Sequence, residues 1–169
     1  NERVLLVKYK DFRSSESYEI TFHPYYLKQY NNRWFAFGLN SDNQVPIWNL
    51  ALDRIESLSE ISREYKQSET DWEEYFFDLV GVTRPEGVNL QEIVLMFTPE
   101  VAPYVITKPV HPSQKSTNGP NGLEVKIKVI PNIELEGLIL SFGEQVRVIS
   151  PQDFKERIFQ RLRSAGRLY

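Results

Sequence analysis

The residues best suited to chemistry gather in and just after one stretch, Phe22–Leu39, which reads FHPYYLKQYNNRWFAFGL. Lys28, Arg33 and, further on, Arg54 stand among Tyr25, Tyr26, Tyr30 and Trp34. Flat rings stack bases and cations neutralise phosphates, so this interleaving is what a groove for a nucleotide or a short single strand requires. His23 opens the stretch, and with an unperturbed pKa of ~6.5 it would gain charge beside a phosphate. The opposing reading places the rings in a core and pairs Arg54 with Asp53 or Glu56. The residues alone leave both open.

Other chemistry finds less footing. Both histidines, His23 and His111, precede proline, and neither has a histidine or carboxylate three or four residues on, so no metal site is expected. The absence of cysteine excludes disulfides and thiolate catalysis and fits a reducing cytoplasm. There is no GxSxG, no phosphate-binding glycine loop and no GxGxxG, so we expect no catalytic residue, no cofactor and no enzyme activity. No segment approaches the roughly 18–20 apolar residues that cross a bilayer, and no membrane partner is expected. The net charge of −3 is uneven: −1 over residues 1–70, −5 over 71–149 and +3 over 150–169. A non-specific duplex-DNA binder is usually basic overall, so any nucleic-acid contact here is local. The basic end, Lys155, Arg157, Arg161, Arg163 and Arg167, could touch DNA or a partner, but such residues more often complement a helix C-terminus and line its wet face.

Positioning the cation–aromatic cluster falls to a hairpin. Asn31-Asn32 suits a two-residue type I′ turn, because asparagine tolerates positive φ. Tyr26, Lys28 and Tyr30 alternate with Tyr25, Leu27 and Gln29 on one arm, and Trp34–Leu39 is almost wholly apolar on the other. Around it, Val4–Tyr9, Tyr18–Phe22 and Val45–Leu50 read as strands, with Pro46 marking an edge or bulge. Leu52–Ile61 fits strand or helix. These short strands predict a small closed or nearly closed barrel.

Arg63–Glu69 is polar and reads as a linker. Thr70 and Glu73 form a capping box for a helix over 70–80 that stops at Gly81, with Trp72 and Phe76 on its buried stripe. From Val88 the pattern is strand, helix, strand, strand, helix, strand, the ferredoxin-like order. Asn132 caps the second of these helices, and Ser150 as N-cap with Pro151 at the first helical position opens a final one with Phe154, Ile158 and Leu162 inside. The fold class is therefore α+β: a barrel over residues 1–63, a linker with a bridging helix over 64–87, and a ferredoxin-like lobe over 88–169.

The order of His23-Pro24-Tyr25, Arg33-Trp34-Phe35-Ala36 and Leu52-Asp53-Arg54-Ile55 resembles that of the WYL domain, whose naming triplet stands here as Trp34-Phe35-Ala36. His111-Pro112-Ser113-Gln114 and the closing Ser150-Pro151 helix resemble the WCX extension that follows it. The resemblance implies an SH3-like, Sm-like barrel and the ligand-sensing, dimerising region of a transcriptional regulator. It favours the binding reading, with His23, Tyr25, Lys28, Arg33, Trp34 and Arg54 as ligand-binding residues for a nucleotide or single-stranded nucleic acid. Trp48 departs from the pattern, standing where many relatives place a second arginine. The family reading also implies a homodimer and a helix-turn-helix ahead of the barrel that contacts DNA. No such pattern occurs in these residues, and since the sequence begins with Asn we expect a fragment or processed form. The alternative is a stand-alone interaction module without a DNA-binding domain.

Overall fold

Residues 2–169 are described by a computed structural model, in which the chain divides into two compact units, Asn1–Trp72 and Glu73–Tyr169. The first is one antiparallel sheet of β1 (Val4–Tyr9), β2 (Tyr18–Tyr30), β3 (Arg33–Asn40), β4 (Val45–Ala51) and β5 (Ile55–Ile61), in the order β4-β3-β2-β1-β5. One face is apolar because Val7, Tyr9, Ile20, Phe22, Ala36 and Leu50 all fall on it, with Leu5, Tyr18, Trp48 and Ile55 packed around them. Trp48 thus joins the cluster that holds the small Ala36.

The expected barrel is not closed by strand pairing. A three-residue 3-10 turn, Leu52–Arg54, carries the chain from β4 at one edge to β5 at the other. Pro46 on β4 has no N–H to offer a further strand, which suits an edge. A side chain makes a link instead: the Ala51 N–H donates to the Tyr9 hydroxyl at 3.3 Å.

The polar run after β5 is not a loose linker. Arg63 Nη1 donates to Thr21 Oγ1 (3.3 Å), the Lys66 N–H to His23 Nδ1 (3.1 Å), and the Tyr65 hydroxyl to the Pro24 carbonyl (2.6 Å). These residues form a strap along β2.

The second unit begins inside α1 (Trp72–Phe77), which is shorter than the 70–80 expected. Its continuation is drawn off by other donors. The Phe77 carbonyl meets His111 Nε2 at 2.7 Å, the Asp78 carbonyl accepts from the Ile130 N–H, and the Val80 carbonyl accepts from Asn132 Nδ2. Then follow β6 (Gln91–Phe97), α2 (Ala102–Thr107), β7 (Lys115–Gly119), β8 (Gly122–Val129), α3 (Ile133–Leu140), β9 (Val146–Ser150) and α4 (Gln152–Gly166). The antiparallel sheet has the order β7-β8-β6-β9. Alternate residues of β6 and β8 supply its core, with Leu135 and Ile139 of α3 and Phe154 and Ile158 of α4.

Asn132 caps α3 as expected, accepting the Leu135 N–H at 2.8 Å. At α4 two expectations are corrected. Ser150 ends β9 and Pro151 takes the N-cap position, and Leu162 lies 46% exposed, because Phe154 and Ile158 alone reach the core.

Candidate functional site

The hairpin turn forms at Asn31 and Asn32, whose φ angles of 47° and 61° are the pair of positive values a type I′ turn requires. It sets Tyr30 opposite Arg33, Lys28 opposite Phe35 and Tyr26 opposite Phe37. The ladder skips Tyr25, because the register shifts between Pro24 and Tyr26. Such a bulge inserts one residue and reverses which side chains face which way. Ile20 and Phe22 therefore point into the core, whereas Tyr26, Lys28 and Tyr30 share the opposite face with Phe37, Phe35 and Arg33. Without the bulge Lys28 would point into the apolar core.

The strap covers one end of this face. The strap follows β2 from Thr21 to Pro24 and finishes at Trp72, whose indole stacks on Tyr26 with ring centroids 5.7 Å apart at 11°. Tyr25 lies 6.2 Å and Phe37 6.0 Å from the same indole. Past Tyr26 the face continues through half-buried Lys28 and Tyr30 to Arg33. Burial lowers the Lys28 pKa, so a nearby anion would favour its charged form. At the hairpin end Tyr30, Asn31, Asn32, Arg33, Trp34, Phe35, Leu52 and Asp53 line a depression of about 650 Å³. Arg33 Nε lies 3.1 Å from Asp53 Oδ2, both side chains being roughly half exposed.

Of the other expected residues, Trp34 borders the depression, and His23, Tyr25 and Arg54 lie apart from the row. His23 is 2% exposed, accepts the strap N–H and packs against Tyr65. Its pKa is lowered, first by burial and then by the Lys66 and Arg63 charges, so it is a neutral structural acceptor at neutral pH. Tyr25 sits beside Tyr65 and Trp72, and burial raises its pKa. Trp34 pairs with Gln29 on the other face and is 48% exposed. Arg54 places its guanidinium 4.0 Å above the ring of exposed Phe12, beside a second depression of about 410 Å³ that Lys10, Asp11, Ser14 and Glu56 also line. Asp53, between Arg54 and Leu52 in sequence, borders both depressions and pairs with Arg33.

Tyr26, Tyr30 and Trp72 belong to this face yet lie outside the ligand-binding set that the sequence suggests. For the two tyrosines, alternation with Lys28 is the signal of a shared face. For Trp72 nothing local in the sequence marks it as a ring on this surface. Among the described residues no three His, Asp or Glu side chains gather as a metal site, and no helix is long and apolar enough to cross a membrane.

Residues 1–60 match the family described as "WYL domain" and residues 89–166 the family described as "WCX domain". Among solved structures, a CRISPR Cas-related protein matches with a TM-score of 0.58 at 16% identity, over 99% of this chain and 48% of that one. Proteasome accessory factor B/C of Arthrobacter aurescens matches at 18% identity and a TM-score of 0.36, over 93% of this chain and 23% of that one. This chain thus spans under half the length of either. No curated protein matches it.

Proposed function

We propose, from the WYL-domain match over residues 1–60 and the WCX-domain match over residues 89–166, that the chain is the ligand-sensing region of a transcriptional regulator. Its ligand is an anionic aromatic molecule, a nucleotide or a short single strand. The observation that carries the reading is the row Tyr26, Lys28, Tyr30 and Arg33 on one face of the hairpin, ending in an open depression. Rings and cations alternate along it, which suits bases that stack and phosphates that need neutralising. Trp34 and Asp53 complete the rim, His23 and Tyr25 support the strap, and Arg54 offers a cation to a longer ligand from the neighbouring depression.

The remaining features of such a regulator follow the family. The first unit is read as an open SH3-like barrel, and the sheet order β7-β8-β6-β9 supports a ferredoxin-like second unit. The region is non-enzymatic and cytoplasmic, forms a homodimer through its second unit, and reports to a DNA-binding helix-turn-helix elsewhere in the protein. Calorimetric titration with adenosine monophosphate, then with 5′-phosphorylated tetrathymidylate, tests the ligand class. Saturable heat with either supports it, and no binding of either at low salt overturns it.

A further inference from the structure

The row of ligand-facing rings begins with one already in use. Tyr26 is stacked by Trp72 in near-parallel geometry, 5.7 Å between centroids at 11°. This is the arrangement a base would adopt on the same ring. The chain around the indole reads Glu69-Thr70-Asp71-Trp72-Glu73-Glu74, one flat ring flanked by carboxylates. That is the chemistry of a nucleotide written in amino acids: an aromatic plane with anionic neighbours. The strap is bonded to β2 at Lys66, and residues 67–71 that follow form neither strand nor helix. Trp72 therefore stands at the end of a short irregular tether, seated among the rings of Tyr25, Tyr26 and Phe37 and only half-buried.

We infer that Trp72 is a pseudo-ligand, occupying on Tyr26 the stacking place of the ligand's base and leaving it when ligand binds. The inference rests on the ligand class proposed above. Ring–ring stacking in proteins and base stacking on an aromatic side chain are of comparable strength, so exchanging one for the other is near balance. The intramolecular ring has the advantage of being tethered, and an incoming strand that of its further contacts at Lys28, Tyr30 and Arg33. Trp72 is also the first residue of α1, whose remaining residues belong to the second unit. Movement of this residue is therefore linked through the chain to the start of that helix, giving binding on the hairpin a covalent route into the second unit. A site whose competent form is only partly populated shows an affinity reduced by that fraction.

The test is binding of 5′-phosphorylated tetrathymidylate to the full chain and to Trp72→Ala, with hydrogen exchange followed in residues 68–77 of the wild type. Removal of the plug is expected to tighten binding about tenfold, and the oligonucleotide is expected to speed exchange at 70–75. Tighter binding by the variant, or binding by the variant alone, supports the plug. Weaker or equal binding by a folded Trp72→Ala, or slower exchange at 70–75 in the wild type, overturns it and leaves the ligand class standing. If the variant fails to fold, the exchange measurement on the wild type decides. Absence of binding by both proteins overturns the ligand class, and the plug with it.

Discussion

His23 Nδ1 accepts a hydrogen bond from the Lys66 N–H at 3.1 Å, joining a buried ring of β2 to the strap that crosses it. An imidazolium has no lone pair at that nitrogen, so protonation breaks the bond. His111 is in the same position in the second unit: its Nδ1 accepts the Ser113 N–H at 3.1 Å and its Nε2 faces the Phe77 carbonyl. Both pKa values are lowered, chiefly by burial.

The consequence is acid lability. The unfolded chain binds these protons near pH ~6.5, whereas the folded chain resists them to lower pH. The stabilisation is thus complete above about pH 6.5 and is lost as pH falls through the folded-state values, with a slope of up to ~1.4 kcal/mol per pH unit for each histidine. Urea midpoints measured from pH 8 to pH 5 should fall below about 6.5. A flat profile for either unit would show that its histidine is not held neutral.

Gly38→Ala should unfold the first unit or cost at least about 3 kcal/mol. A Cβ there would lie 2.1 Å from the His23 carbonyl oxygen and 2.6 Å from Phe22 Cζ. The first obstacle is backbone and cannot rotate away. Thermal melting of the variant checks this, and a shift of only about 1–2 °C, well under ~1 kcal/mol, would contradict it.

Asn132→Ala removes a helix cap and the two Nδ2 bonds to the Val80 and Thr83 carbonyls, each 2.8 Å. Losing a cap costs ~1 kcal/mol and stranding the buried Val80 carbonyl adds about as much, whereas exposed Thr83 can turn to water, giving a loss of about 2 kcal/mol in the second unit. Denaturant unfolding is the measurement. A loss under about 0.5 kcal/mol, the scale of ordinary surface changes, would mean that water replaces the amide without penalty.

The strands, the hairpin turn and the α3 cap are legible in the sequence because each depends on near neighbours. Asn31-Asn32 dictates its own turn, and the alternation in β8 dictates its faces. Which face the hairpin rings take is not legible, because it turns on the bulge at Tyr25, which alternation does not announce. His23 reads from sequence as a cation beside the ligand; its burial comes from residues 63–66, whose polar composition describes a linker equally well. The sequence expectation joins Arg54 to Lys28 and Arg33, yet its neighbour Asp53 makes the pair with Arg33 while Arg54 stacks on Phe12. That partition is set by a tight three-residue turn, where one residue of phase decides the direction of a side chain.

Asp53 bears on binding through that pair. Half-exposed ion pairs contribute ~0–1 kcal/mol to stability, so Asp53→Asn should leave the melting temperature nearly unchanged. It also removes a carboxylate from the rim of the hairpin depression and releases Arg33, so affinity for an anionic oligonucleotide should rise. Unchanged or weaker binding by this variant would place the anion away from Arg33.

The most direct test of the ligand reading is the salt dependence of binding to a fluorescein-labelled tetrathymidylate, for the wild type, Lys28→Ala and Arg33→Ala. Neutralising a phosphate releases counterions, and the logarithmic salt slope for a single strand falls by about 0.7 for each phosphate no longer neutralised. The predicted result is measurable wild-type binding that weakens with salt, with a shallower slope and lower affinity in each variant. Identical slopes and affinities for all three proteins, or no binding by the wild type at low salt, would contradict a binding face built on Tyr26, Lys28, Tyr30 and Arg33.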